Sequence, residues 1–144
     1  MKKKLITAAC LLFSGLSFAQ DIAVRDVPSI VLNSFTKTFP KANDIDWEMK
    51  GEVFNVEFEI GRRDHEVWLD HKGTIVKHKK EITARELPST VKNSIKQNYK
   101  GYRIDDVEQV EEMKQVLYKV ELKTFTDEKE LVFDQSGKLS NKRL

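Results

Sequence analysis

The sequence predicts an α+β fold made of two tandem copies of one unit, each a helix packed on about four antiparallel strands. Three observations carry that expectation. First, the chain repeats itself: VPSIVLNSF at 27–35 returns as LPSTVKNSI at 87–95, FNVEF at 54–58 as YKVEL at 118–122, and EVWLDHKG at 66–73 as ELVFDQSG at 130–137. The offset is 60 residues in the first block and 64 in the later two, so about four residues enter between helix and strands of the second copy. Second, the apolar spacing inside each copy changes from four to two. Third, both copies carry an Asp-x-x-Gly turn between strand patterns.

Each copy opens on a proline placed just inside the helical pattern, Pro28 or Pro88, where a missing N–H costs nothing. Asp26 and Glu86 precede it and suit the positive end of the helix dipole. Val27, Val31, Phe35 and Phe39 make one apolar stripe, and Leu87, Val91, Ile95 and Tyr99 make its counterpart. Pro40 stops the first helix, and Gly101 offers a C-cap for the second.

Strands follow. Asp44–Met49 places Ile45, Trp47 and Met49 on one side, and Phe54, Val56, Phe58 and Ile60 alternate with polar residues. After Gly61 comes a strand with Val67 and Leu69 inward, then the Asp70–Gly73 turn and a closing strand at 74–79. In the second copy the matching strands fall at about 103–112, 118–123 and 130–133, with a closing strand at 138–142. Its first strand, 103–112, alternates less cleanly than the others. The helices then cover one face of what could be a continuous sheet, and the other face is left to solvent or a partner.

Lys2, Lys3 and Lys4 precede an apolar run from Leu5 to Leu16 that ends at Ser17-Phe18-Ala19, the pattern of a secretory signal peptide over residues 1–19. The run is shorter than the roughly 20 apolar residues a spanning helix needs. The expected product is a soluble domain over 20–144, with repeat one at about 26–80 and repeat two at about 86–144, located in the periplasm or secreted. The single cysteine, Cys10, goes with the leader, so no disulfide is expected; too short an apolar stretch precedes it for a lipoprotein signal. Three of the 25 basic residues and none of the 23 acidic ones also leave, bringing the net charge to about −1. A near-neutral chain argues against nucleic-acid binding, which draws on a basic patch. The local run Lys77, His78, Lys79 and Lys80 is read as a solvated strand end.

The leader, the x-Pro-x-x-Val helix, the aromatic-x-Val-Glu-aliphatic strand and the strand ending in Asp-x-x-Gly together resemble the secreted PepSY-like proteins of the beta-lactamase-inhibitor-like (BLIP-like) group. The resemblance spans nearly all of 20–144, in both copies. It implies a tandem α/β unit whose sheet forms a protein-binding surface, and a role in binding or restraining another protein. The chain departs from the lactamase inhibitors in having no cysteine after the leader and no aromatic-rich sheet face. The binding sheet therefore carries over, and the particular target does not.

With Val67 and Leu69 inward, Asp64, Glu66, Trp68 and Asp70 point outward, and alternation along the next strand adds Val76 and His78. The candidate partner-binding patch is Trp68, Glu57, Glu66, Val76 and His78, with Val132 standing where the second copy would repeat Trp68. A large aromatic on an open sheet is a typical interface anchor. His65, His71 and His78 have no metal-binding spacing, and Asp44/Asp46 or Asp105/Asp106 lack the glycine and terminal glutamate of a calcium loop. No G-x-S-x-G elbow or phosphate loop is present and the chain holds six glycines, so neither catalysis nor a cofactor is expected. The expectation is a monomeric, non-catalytic binding module for an unidentified envelope or secreted protein. The alternative is a small-ligand or metal binder using a cleft between the copies.

Overall fold

The computed structural model describes residues 19–144, and the expected leader therefore falls almost wholly outside the described residues. Eight antiparallel strands form one sheet in simple sequence order: β1 (Ala19–Asp21), β2 (Asn43–Lys50), β3 (Val53–Glu59), β4 (Asp64–Leu69), β5 (Ile75–Glu81), β6 (Arg103–Glu112), β7 (Gln115–Lys123) and β8 (Glu128–Asp134). Helix α1 (Ser29–Thr38) lies between β1 and β2, and α2 (Ser89–Asn98) between β5 and β6. A single turn of 3₁₀ helix, Val24–Asp26, leads into α1. Among the described residues no helix is long and apolar enough to cross a membrane.

Both helices sit on one face of the sheet. Val27, Val31 and Phe35 of the α1 stripe are buried with Trp47, Phe54, Val56, Phe58, Val67 and Leu69. Leu87, Val91 and Ile95 of the α2 stripe are buried with Val107, Tyr118, Val120, Leu122 and Phe133. A four-residue spacing presents one stripe per helix, and a two-residue spacing presents one row per strand, so the two patterns meet only on that side. Pro28 and Pro88 stand at the N-cap position, with ψ of 138° and 145°, one step outside the helix where the sequence placed them just within it.

Three local features depart from the expected strands. β1 pairs with β2 through three residues, a segment too short to show a period. The register slips between Trp68 and Leu69 of β4, where Lys77 and Ile75 of β5 are their partners, so Val76 is the extra residue of a bulge. The expected closing strand at 138–142 shrinks to one bridge, Leu139 opposite Phe133, followed by a hydrogen bond from Ser140 N to Val132 O. Ser140 is the counterpart of Val76, so the place where the first copy bulges is where the second leaves the sheet.

Candidate functional site

The face away from the helices, here called the outer face, is read off the register. Directly paired residues share a face, so Glu48, Asn55, Trp68, Lys77, Glu112 and Gln115 form one row across six strands. The next row holds Asp46, Glu57, Glu66, Lys79, Val110 and Leu117. Lysines and acids of these and the neighbouring rows pair diagonally across the face. Lys50 Nζ lies 3.1 Å from Glu48 and 3.2 Å from Glu66. Lys79 Nζ lies 2.7 Å from Glu66 and 3.4 Å from Glu108, and Lys119 Nζ lies 3.4 Å from Glu108 and 3.0 Å from Glu130. The result is a ladder of alternating charge from β2 to β8.

Glu66 is the centre of the ladder in the first half of the sheet and is 9% exposed. Burial alone would raise its carboxyl, but the lysines at positions 79 and 50 and the Asn55 amide, which donates at 3.0 Å, hold it below the usual carboxylate range. Lys79 behaves in mirror image: burial works against its charge, yet Glu66 and Glu108 raise it above the ordinary lysine value. Asn55 is fully buried, and its Oδ1 lacks a hydrogen-bond partner. Glu108 Oε2 also lacks an aligned donor and is held instead by the charge of Lys119. Trp68 stands half-buried in this setting, with Lys77 Nζ 4.6 Å and Lys50 Nζ 6.0 Å from the ring centroid. Cations over an indole face are attracted by its quadrupole and hold the ring in place.

Of the five patch residues, three share the outer face: Glu57 is exposed, Glu66 buried and Trp68 half-buried. Val76 and His78 do not join them as a row. The Val76 bulge reverses the alternation, so Lys77 takes the place opposite Trp68 and His78 turns to the helix side opposite Val67. Val76 itself is 40% exposed as the unpaired bulge residue. The site residues that the sequence did not single out are Lys50 and Lys77 beside the tryptophan and Lys79 beside Glu66; their signal was the alternation of Lys and Glu between neighbouring strands. Val132 does stand on the outer face, opposite Lys119.

A cavity of about 550 Å³ opens near the junction of the two halves, lined by Glu57, Glu66, Lys79, Glu81, Asp106 and Glu108 among others. Its walls are mostly carboxylates, a lining without the apolar surface of a small-molecule site. Among the described residues no three or more His, Cys, Asp or Glu side chains are grouped to hold a metal ion.

On the helix side, the reversed His78 meets His65 across β4 and β5, with Nδ1 of His65 and Nε2 of His78 3.0 Å apart. Phe58 stacks on His65 and the Phe39 ring lies edge-on to His78, so the pair ties the end of α1 to the sheet. Burial first, and then Lys80 and Arg63, lower the His65 imidazole despite the opposing Asp64; burial and then His65 push His78 down to about 4 despite Glu111. Both rings are therefore neutral in the fold at pH values where an unfolded histidine, with pKa near 6.5, is already charged. Between pH 6.5 and about 4 the unfolded chain binds more protons, so stability falls as pH falls. Discounted for partial exposure, the His78 contribution is about 2 kcal/mol. Urea midpoints from pH 7.5 to 5 are expected to drop in the wild type and to flatten in His78→Gln; equal slopes in both would remove His78 as the cause.

The sequence matches the profile of a PepSY-like family, described as beta-lactamase-inhibitor-like, over residues 18–77 and again over 52–141. No curated protein sequence matches the chain. Solved structures similar to it include the following three. A protein of the DUF2874 family from Bacteroides uniformis shares 23% identity and a TM-score of 0.68 over 78% of this chain and 85% of its own. A BLIP-like protein from Bacteroides fragilis shares 22% identity and a TM-score of 0.67 over 81% and 84%. A protein from Bacteroides eggerthii, provisionally described as periplasmic, shares 19% identity and a TM-score of 0.69 over 78% and 85%. At these identities the likeness is one of fold.

Proposed function

Because the chain belongs to the PepSY-like, beta-lactamase-inhibitor-like family, we propose that it is an exported, non-catalytic binding module that uses its outer sheet face to engage another protein of the envelope. The fold is read as two tandem copies of a helix-and-strands unit over 20–144, acting as a monomer after removal of the leader. Restraint of an envelope enzyme is the role that the family likeness favours, and a protein with the fold whose provisional description is periplasmic supports the compartment.

The observation that carries this reading is Trp68 on a face no helix covers, with the Lys50 and Lys77 ammonium groups over its ring. An aromatic ring held in one orientation loses little freedom on binding, which favours it as an anchor. The surrounding charges are already paired with one another, so a partner meets a preorganised polar rim and not a field of free charge. The sheet supplies the rigid platform.

The test is affinity capture from an envelope extract with the wild-type chain and with Trp68→Ala, followed by titration of the captured protein. The substitution is expected to weaken binding by about 2 kcal/mol, close to 30-fold, with the melting curve nearly unchanged. A variant that folds normally and binds as tightly as wild type would exclude Trp68 as the anchor. Capture of nothing specific by either chain would count against the binding role itself.

A further inference from the structure

The outer face contains a strip that should be exposed and is not. The register sets Val110 opposite Leu117, in line with Lys79, on the side away from both helices. Val110 is nevertheless 0% exposed and Leu117 6%, and neither belongs to the buried clusters under α1 and α2. Apolar surface on an open sheet is removed from water only by something lying over it.

The C-terminal residues come to this part of the sheet. Past the Asp134 turn the chain bridges Phe133 at Leu139 and bonds Val132 O from Ser140 N, both at the free edge of β8. It then bends, with Lys142 N donating to Ser140 Oγ, and the Lys142 ammonium pairs with Glu112. Glu112 stands on the outer face of β6 opposite Gln115 of β7, and the last residue of β8, Asp134, is opposite Leu117, two positions short of that row. Strands are spaced about 4.8 Å apart, so a lysine rooted beyond β8 reaches β6 only if the chain has turned back over the outer face. Leu117 also lines one cavity of about 560 Å³ together with Leu139 and Ser140, at the root of this crossing.

From this placement we propose that residues 141–144 are a displaceable strap: they cover the Val110–Leu117 strip, latch through Lys142 on Glu112, and leave when a partner occupies the outer face. The role given to displacement rests on the outer-face reading above. One partly exposed ion pair contributes little to stability, so the strap is held mainly by being tethered beside its site. Its chemistry, Lys-Arg-Leu, sets a cation against the Glu112 carboxylate and an aliphatic side chain near an aliphatic strip. Displacement adds an apolar patch, hidden by the closed chain, to the face that carries Trp68.

Two measurements test the strap without any partner. Backbone ¹⁵N heteronuclear NOE values at 142–144 are expected to approach those of the sheet in the wild type, fall to those of a free terminus in Glu112→Lys, and recover in the double exchange Glu112→Lys with Lys142→Glu. A mobile tail in the wild type, indifference to Glu112→Lys, or no recovery in the double exchange overturns the latch. A chain ending at Ser140 is expected to raise anilinonaphthalene sulfonate fluorescence several-fold with an unchanged far-UV spectrum. No rise would show that the tail does not cover the strip. Failed partner capture in the Trp68 experiment leaves both results standing, so the two ideas fail separately.

Discussion

Replacing Phe35 with alanine is expected to lower the unfolding free energy by about 4 kcal/mol, among the largest effects of any single side chain in the first half of the sheet. Phe35 is 2% exposed and is the hub of an aromatic group, with ring centroids 5.0 Å from Phe58, 5.2 Å from Trp47 and 5.5 Å from Phe39. Edge-on contacts of this kind add about 0.5–1.5 kcal/mol each beyond the burial of area. The flanking rings are anchored at three different places, the C-cap of α1, β2 and β3, so they cannot all close into the space the ring leaves. Ile95 takes the same place on α2, is 5% exposed, and has no comparable ring cluster. Ile95→Ala is therefore expected to cost less, about 3 kcal/mol. Urea unfolding of the two variants measures the difference. A loss of 1 kcal/mol or less for Phe35→Ala would show that the aromatic group repacks.

The helices and most strands were legible because each carries a clean period, and the helix side of the core follows from it. What failed was phase. Val107 and Val110 are three apart on one strand, so they face opposite ways, and no alternation in 103–112 could have been assigned to one face. The bulge at Val76 has no sequence mark beyond a strand that starts early, yet it alone moved His78 from the expected patch to the helix side and put Lys77 beside Trp68. The same shift created the His65–His78 contact, which no spacing of histidines along the chain could reveal because it is made between strands. The outer position of Trp68 and Glu66 was legible because their strand keeps strict alternation with Val67 and Leu69. Their lysine partners come from β5 beside them and from β2 on the far side of β3, and only the register brings these side chains to them.

Gly137→Ala is the second large expected effect, and it shows what the repeated Asp-x-x-Gly turn is for. Gly137 has φ of 83°, and a Cβ there would lie 2.5 Å from Thr90 O and 2.7 Å from its carbonyl carbon, backbone atoms of the first turn of α2. The turn is built to approach that helix: Asp134 Oδ1 accepts from the backbone N–H groups of Ser136 and Lys138, and Thr90 Oγ1 donates to Gln135 O at 2.6 Å. The first copy repeats the design more loosely, with Ser34 Oγ donating to Gly73 O and a Cβ on Gly73 meeting Ile30 O at 2.8 Å. Gly101 separates the two causes, since its φ is 88° but a Cβ there meets nothing within 4 Å. Gly101→Ala should thus cost only the left-handed backbone term, about 1 kcal/mol. Gly73→Ala adds a tight contact, and Gly137→Ala adds a backbone overlap that must push α2 off the sheet, for a total of about 3 kcal/mol or more. For a chain of this size that is a fall in melting temperature on the order of 10 °C. Thermal unfolding of the three variants should rank them Gly101, Gly73, Gly137 in rising damage. Equal losses at Gly101 and Gly137 would mean that the turn yields and that backbone conformation, not contact with the helix, makes glycine necessary there.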